Sequence, residues 1–380
     1  MTLHYFDHAA SAPRSDRVAA AMAPFERGVV ANPSGSHRAA REARRVIEES
    51  RDLVAAHVGA PAAGVIFTGG GTESCTLALA GVVAASPPGA RRVVVSAIEH
   101  HAVLDAAALC QRELGAEISV LGVTRSGVIR RDDAEVALSE PTTLLSVMSA
   151  NNETGVVQPV AELAALAHER GVKVHTDAVA AAPWLDLRVA TAGADLVSLA
   201  AHKVGGPVNS GALVVRGSVN LLARSPGGGQ ERGWRGGTVD VAAAVGLAVA
   251  LDEAAERREV ARRRAEALRE RLWGALSDLD GVSRTVEGVD TLPGTLHLCV
   301  ADVASDELLF LLDEAGVCAS AGASCSSGAT QASHVLIAMG VPANEARGAV
   351  RFSFGWETTE DDVDAAAAAV RSAYQRLRRP

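Results

Sequence analysis

At 380 residues the chain exceeds the usual size of one compact domain, so a larger and a smaller domain are expected. Lys plus Arg number 36 against 45 Asp plus Glu, a net charge of -9, and no basic block marks a footprint for direct nucleic-acid binding. Hydrophobic residues make up 48% of the chain and aromatics only 3%, so the core must be built from Ala, Val and Leu, which suits layered α/β packing. The first residues, Met1 to Pro13, lack the basic and then apolar run of a signal peptide, and no apolar stretch approaches the roughly 18 residues of a membrane span. A cytoplasmic protein is expected. Its five cysteines, Cys75, Cys110, Cys299, Cys318 and Cys325, form no CxxC pair and read as reduced thiols.

In chain order, helix-like stretches alternate with short apolar runs from about Ala39 to Gly211. The runs are Val65 to Thr68, Arg92 to Ser96, Glu117 to Leu121, Leu144 to Met148, Val172 to Thr176, Leu196 to Leu199 and Ala212 to Val215. This rhythm predicts βαβ units and a mostly parallel sheet flanked by helices. Arg41 to His57 and Val160 to Arg170 carry apolar residues at helical spacing and read as helices on that sheet. Ser225 to Thr238 (SPGGGQERGWRGGT) breaks all periodicity and reads as a functional loop. The charged stretch Leu251 to Leu272 reads as a solvated connecting helix. Beyond it come strand-like Gly294 to Val300, helix-like Asp306 to Glu314, the small-residue run Ala319 to Ala329, strand-like Val350 to Phe354 and a last helix. The expected division is a large α/β domain over 13–255 and a smaller α/β domain from 1–12 and 256–380.

Three places carry residues suited to chemistry. Gly69-Gly70-Gly71-Thr72-Glu73-Ser74 follows one apolar run and precedes another, so strand, glycine turn and helix N-terminus form a candidate phosphate cup. Taken alone, it is equally an ordinary glycine-rich turn. Asp177 and Lys203 each end an apolar run, which puts a carboxylate and an amine at the crevice outside a parallel sheet. A desolvated lysine there can form a Schiff base with an aldehyde, and an aspartate can pair with a protonated pyridine nitrogen. Cys325 lies in Ser320-Ala321-Gly322-Ala323-Ser324-Cys325-Ser326-Ser327-Gly328, a run with little to bury, which suits an exposed reactive thiol. The other four cysteines sit in apolar surroundings and read as structural.

In order along nearly the whole chain, further segments complete a pattern. They include Asp7-His8-Ala9-Ala10, Asn32-Pro33-Ser34, Glu99-His100-His101, Asn151-Asn152-Glu153-Thr154-Gly155, His202-Lys203, Gly227-Gly228-Gly229-Gln230-Glu231-Arg232, Arg235-Gly236-Gly237-Thr238 and Arg351-Phe352-Ser353. With these the chain resembles the cysteine desulfurases, class V members of the fold type I pyridoxal-phosphate enzymes. The resemblance implies that Lys203 holds pyridoxal 5'-phosphate and moves protons, that Asp177 holds the pyridinium, and that His100 stacks on the ring as an acid/base group. It implies a phosphate held by Gly71, Thr72 and His202, and by Thr238 across a homodimer. Asn152 would touch the ring hydroxyl or the substrate, Arg351 would clamp the carboxylate of L-cysteine, and Asn32 would add a contact to it. Cys325 would receive the sulfur as a persulfide and pass it to an acceptor protein.

Some positions depart from the family pattern. Ala180 stands where a Gln usually meets the ring hydroxyl, Ala200 where a Ser usually meets the phosphate, and Cys75-Thr76 where Asp-Asn is usual. Weaker cofactor retention is expected. A selenocysteine lyase, a C–S lyase of specialised metabolism and a non-catalytic scaffold remain open as alternatives. So does the acceptor: iron–sulfur scaffolds, tRNA-thiolating enzymes, DNA phosphorothioation proteins and biosynthetic sulfur carriers.

Overall fold

The computed structural model describes residues 2–27, 31–322 and 332–378. A short strand, β1 (His4–Tyr5), precedes helices α1 (Asp16–Glu26) and α2 (Arg38–Val58). Strands and helices then alternate: β2 (Val65–Thr68), α3 (Gly71–Ala85), β3 (Arg92–Ser96), α4 (His101–Leu114), β4 (Glu117–Leu121), α5 (Arg131–Ala137) and β5 (Leu144–Ser146). They continue with α6 (Val160–His168), β6 (Lys173–Asp177), α7 (Leu187–Ala190), β7 (Leu196–Ala200), β8 (Gly211–Val215) and the 34-residue α8 (Val241–Gly274). After α8 come β9 (Val282–Arg284), β10 (Thr295–Val300), α9 (Ser305–Glu314), β11 (Val317–Cys318), α10 (His334–Ala338), α11 (Ala343–Ala346), β12 (Ala349–Ser353) and α12 (Glu360–Leu377).

The apolar runs lie where continuous Val, Ile and Leu demand burial on both faces, in a seven-stranded sheet of order β2-β8-β7-β6-β5-β3-β4. All of its neighbours are parallel except at β8, which runs against both β2 and β7. Because β8 is reversed, β2 again runs with β7, and the ends of β2, β6 and β7 open on one edge. Helix α2 shows why the faces close. Ala40, Ala43, Ile47, Val54 and Val58 recur at helical spacing and are buried, and Gly59 ends the helix in a left-handed cap at φ 72°. One core fills the face under α2, α6 and the first part of α8, and a second fills the face under α3 and α4.

A separate core surrounds the antiparallel sheet β12-β10-β9. There Phe6 meets Phe352 and Phe354 edge-on, at ring separations of 5.9 and 5.5 Å. Strand β1 pairs in parallel with β11, so the N-terminal residues belong to this second sheet system. Helix α8 joins the cores: Leu251 packs in the first and Ala265, Leu268 and Leu272 in the second. It begins at Val241, not at the expected Leu251. The segment VAAAVGLAVA shows no charged stripe, because it is buried nearly all round.

The 225–238 loop is pinned by a buried ion pair. Arg51 donates from Nη1 to Glu231 Oε2 at 2.9 Å and from Nη2 to Oε1 at 2.8 Å, and the Phe67 N–H donates to Oε2 at 2.7 Å. Removing one partner strands the other charge in the interior. Arg51→Leu is expected to lower unfolding stability by about 3 kcal/mol in urea melts; a loss under about 1 kcal/mol would contradict this role.

Candidate functional site

The turn between β2 and α3 is built on glycine for steric reasons. Gly70 has φ 139°, and a Cβ on Gly211 would lie 2.4 Å from the Leu199 oxygen and 2.8 Å from the Gly70 carbonyl carbon. The backbone of β8 therefore touches the turn directly. Among the described residues no side chain caps α3, which leaves its first N–H groups to meet an anion. Glu73 accepts from the Gly69 N–H at 2.5 Å and from Arg235 Nε at 2.9 Å, which fastens the 225–238 loop to the turn.

A cavity of about 340 Å³ opens at this edge. Of the residues predicted from sequence, Gly71, Thr72, His100, Asn152, Asp177, His202, Lys203 and Arg351 all line it. Asp177 ends β6 and is 6% exposed. Its Oδ1 accepts the Val179 N–H at 2.9 Å and its Oδ2 accepts the Cys75 thiol at 3.8 Å. Burial pushes this carboxyl up, which a cation beside it would reverse. Lys203 sits in the tight turn after β7, and its Nζ donates to the carbonyls of Ala9 and Ala10 at 2.7 and 2.9 Å. Burial first and the Arg351 charge second bring the amine down to about 8.

His100 caps α4, its Nδ1 accepting the Ala102 N–H at 3.0 Å. Burial holds the imidazole below its usual value, so the neutral ring carries its proton on Nε2. Burial also lowers His202, to about 4. Arg351, on β12, is 3% exposed; Nη1 donates to the Asn152 carbonyl and Nη2 to Asp7 Oδ1, both at 2.7 Å. Its Nε is buried without a partner among the described residues.

Two predicted residues lie elsewhere in the chain's own fold. Asn32 and Thr238 line a second pocket of about 310 Å³ beside Arg51 and Glu231. Cys325 lies outside the described residues, but Ser320 and Gly322, which lead to its segment, line the main cavity. Beyond that segment Ser333 donates to Glu153 Oε2 at 2.5 Å, and Glu153 also packs against Gly322. Sequence reasoning gave no role to Asp7, the ion-pair partner of Arg351, nor to Cys75, read as structural and found against Asp177. An acidic residue ahead of a His-Ala-Ala segment was the available signal for the first. For the second, nothing in the apolar surroundings of Cys75 pointed to it.

A matching family model, described as aminotransferase class-V, covers residues 4–366. The chain belongs to the class V aminotransferases. An IscS-like cysteine desulfurase of Mycobacterium tuberculosis is 42% identical over 384 residues, covering 99% of this chain and 97% of that protein. A solved NifS-like protein superposes with TM-score 0.91 at 31% identity, covering 99% of each chain. The structure of SspA in complex with cysteine superposes with TM-score 0.81 at 32% identity, covering 93% of this chain and 99% of that one.

Members of this class V family use pyridoxal phosphate, which supplies an aldehyde for amines and a protonated pyridine ring that withdraws electrons. The residues fit such a group. Lys203 offers an amine near neutrality, Asp177 a buried anion short of a cation, and the α3 terminus a phosphate seat. Ala180 lies in the wall between the main cavity and a neighbouring apolar one of about 50 Å³. That space is enough for a few water molecules.

Two outcomes are expected. Condensation of the apoprotein with pyridoxal phosphate, followed by visible absorbance, should speed up about tenfold per pH unit below pH 8 and level off above it, because the reacting Lys203 must be neutral. A rate flat with pH would overturn that assignment. Ala180→Gln should tighten cofactor binding about fivefold in spectral titrations, since it fills the wall and restores a donor; unchanged or weaker binding would show that the missing contact is immaterial.

Proposed function

We propose that this cysteine desulfurase transfers the sulfur of L-cysteine to the Cys325 thiol, giving a persulfide and releasing L-alanine. One observation carries the reading: a depressed lysine, a buried carboxylate and a partner-short arginine meet in a single cavity, at whose wall the Cys325 segment begins. Arg351 lines the cavity and receives the substrate carboxylate through its guanidinium, with Asp7 and the Asn152 carbonyl keeping the guanidinium plane in place. Asp177 would hold the ring nitrogen of the cofactor as a pyridinium. Lys203, which would hold the cofactor's aldehyde, would take the proton from the substrate Cα and return one to the departing alanine. His100, with its proton on Nε2, serves the substrate amine and sulfur. The Cys325 thiolate attacks the substrate sulfur, so an S–S bond forms as the C–S bond breaks.

The pocket around Asn32 and Thr238 supports a homodimer in which each copy lends these residues to its partner's phosphate and substrate. The separate cores support a large domain over 13–255 and a small one from 1–12 and 256–380, with α8 running through the boundary. No helix among the described residues is long and apolar enough to cross a membrane. A cytoplasmic setting suits the free thiols of Cys75, Cys110, Cys299 and Cys318. An acceptor protein takes the sulfur onward.

Incubation with L-cysteine and dithiothreitol is expected to yield sulfide and alanine in equal amounts, and Cys325→Ala to stop both after the cofactor has loaded normally. Pyruvate in place of alanine, or turnover untouched by Cys325→Ala, would refute the assignment.

A further inference from the structure

Both described ends of the segment that carries Cys325 meet one buried side chain, Glu153, which the reaction above leaves unused. At the entry, Ser320 and Arg351 exchange backbone hydrogen bonds of 3.2 and 2.6 Å, and Gly322 follows at φ 85°. A Cβ on Gly322 would lie 3.4 Å from Glu153 Cβ and 3.5 Å from its Cγ, so this glycine rests against the stem of the glutamate. At the exit, Ser333 Oγ donates to Glu153 Oε2 at 2.5 Å. Counting protons fixes that bond. Ser333 caps α10, its Oγ accepting from the Val335 and Leu336 N–H groups at 3.1 and 3.4 Å, so the one hydroxyl proton is left for Glu153. The first residue of α10 is held as well, since His334 Nε2 donates at 2.9 Å to the Glu99 carbonyl, just ahead of His100.

Glu153 itself has little freedom, because the side chain of Asn151 shapes the turn around it. Asn151 Oδ1 accepts from the N–H groups of Glu153 and Thr154 at 3.0 and 2.9 Å and from Thr154 Oγ1 at 3.1 Å, while its Nδ2 donates to the Ile98 carbonyl at 3.0 Å. Between these residues, the Asn152 carbonyl accepts from Arg351 at 2.7 Å. One buried turn thus holds Arg351 with residue 152 and both roots of the Cys325 segment with residue 153.

We propose that Glu153 is a positioning residue for sulfur transfer: it ties the two roots of the Cys325 segment to the turn that holds Arg351, and so sets the reach of the thiol toward the substrate sulfur. The inference rests on the reading that Cys325 accepts that sulfur. Pinning both ends of a loop to one point limits where its middle can go, and a displacement of about 1 Å is enough to slow a reaction between held groups severely. Among the described residues no hydrogen bond joins the Glu153 side chain to Lys203, Asp177 or the phosphate turn, so its effect falls on the transfer and not on the cofactor.

The test compares two reactions of the holoenzyme. In one, L-cysteine is added without reductant, and alanine and protein-bound sulfur, released by cyanide as thiocyanate, are followed over a single turnover. In the other, exchange of the Cα hydrogen of L-alanine in deuterated water is read by NMR, which calls on the cofactor, Lys203 and Arg351 without any sulfur transfer. Glu153→Ala should slow the single turnover about tenfold while exchange and the visible band stay within about twofold of the wild type. Glu153→Gln, which keeps an acceptor for Ser333, should recover most of the lost rate. An unchanged turnover in Glu153→Ala, an equal fall in exchange, or a Glu153→Gln variant as slow as Glu153→Ala would each overturn the proposal. Cys325→Ala separates the two readings. If it abolishes transfer while Glu153→Ala leaves it unchanged, only the anchoring role fails; if it forms alanine at the wild-type rate, Cys325 is not the acceptor and both readings fall.

Discussion

The buried carboxylate of Asp177 is the constraint on which the site depends. An ionised carboxyl removed from water is costly unless donors and a cation replace its hydration. Here one backbone N–H and one thiol are its hydrogen-bond donors among the described residues. The protein's own groups therefore leave the anion under-compensated, and a pyridinium would supply what is missing. The rest of the sheet edge serves that demand. The reversed β8 brings the end of β2 beside β7, so that the phosphate turn and the aspartate face the same space. The close approach of Gly211 to Gly70 sets the depth of the turn.

Lys203 and Arg351 are tied to each other through the N-terminal segment. Phe6 is anchored in the small core, Asp7 pairs with Arg351, and the carbonyls of Ala9 and Ala10 accept from Lys203. Five consecutive residues thus run from the second sheet system across the cavity to Lys203. Any shift of the small core on the large one would change the reach of the arginine and the acceptors of the amine together. The Ser320–Gly322 strand end, which bonds the Arg351 backbone, leads from the same place into the Cys325 segment. Under the proposed function, substrate capture and sulfur hand-over therefore share one support.

Much of this was legible in the sequence, for identifiable reasons. Strands buried on both faces read as plain Val and Leu runs, and their ends, Asp177 and Lys203, carried charges that have no place inside a sheet except at a site. The start of α8 was not legible, because a helix buried all round has no polar stripe. Asn32 and Thr238 were named from family likeness, and one chain's geometry puts them in another pocket, on which periodicity says nothing. Cys75 shows a third kind of miss. Its neighbours in sequence are apolar, and only the crossing of α3 over β6 and β7 reveals that the thiol touches the one carboxylate that matters.

That thiol also bears on the departures at Ala180 and Ala200. Both remove polar contacts from the rim of the cavity, at the places where a ring hydroxyl and a phosphate would sit, and both leave the buried side intact. The Cys75 thiol reaches Asp177 from α3, on the side away from the rim, so that contact is independent of the rim. Losing a rim contact weakens the hold on the cofactor without altering the state of its ring. The groups that would hold the cofactor at the rim and those that hold the carboxylate from its buried side are thus different residues, and a site with a thinned rim can keep its chemistry.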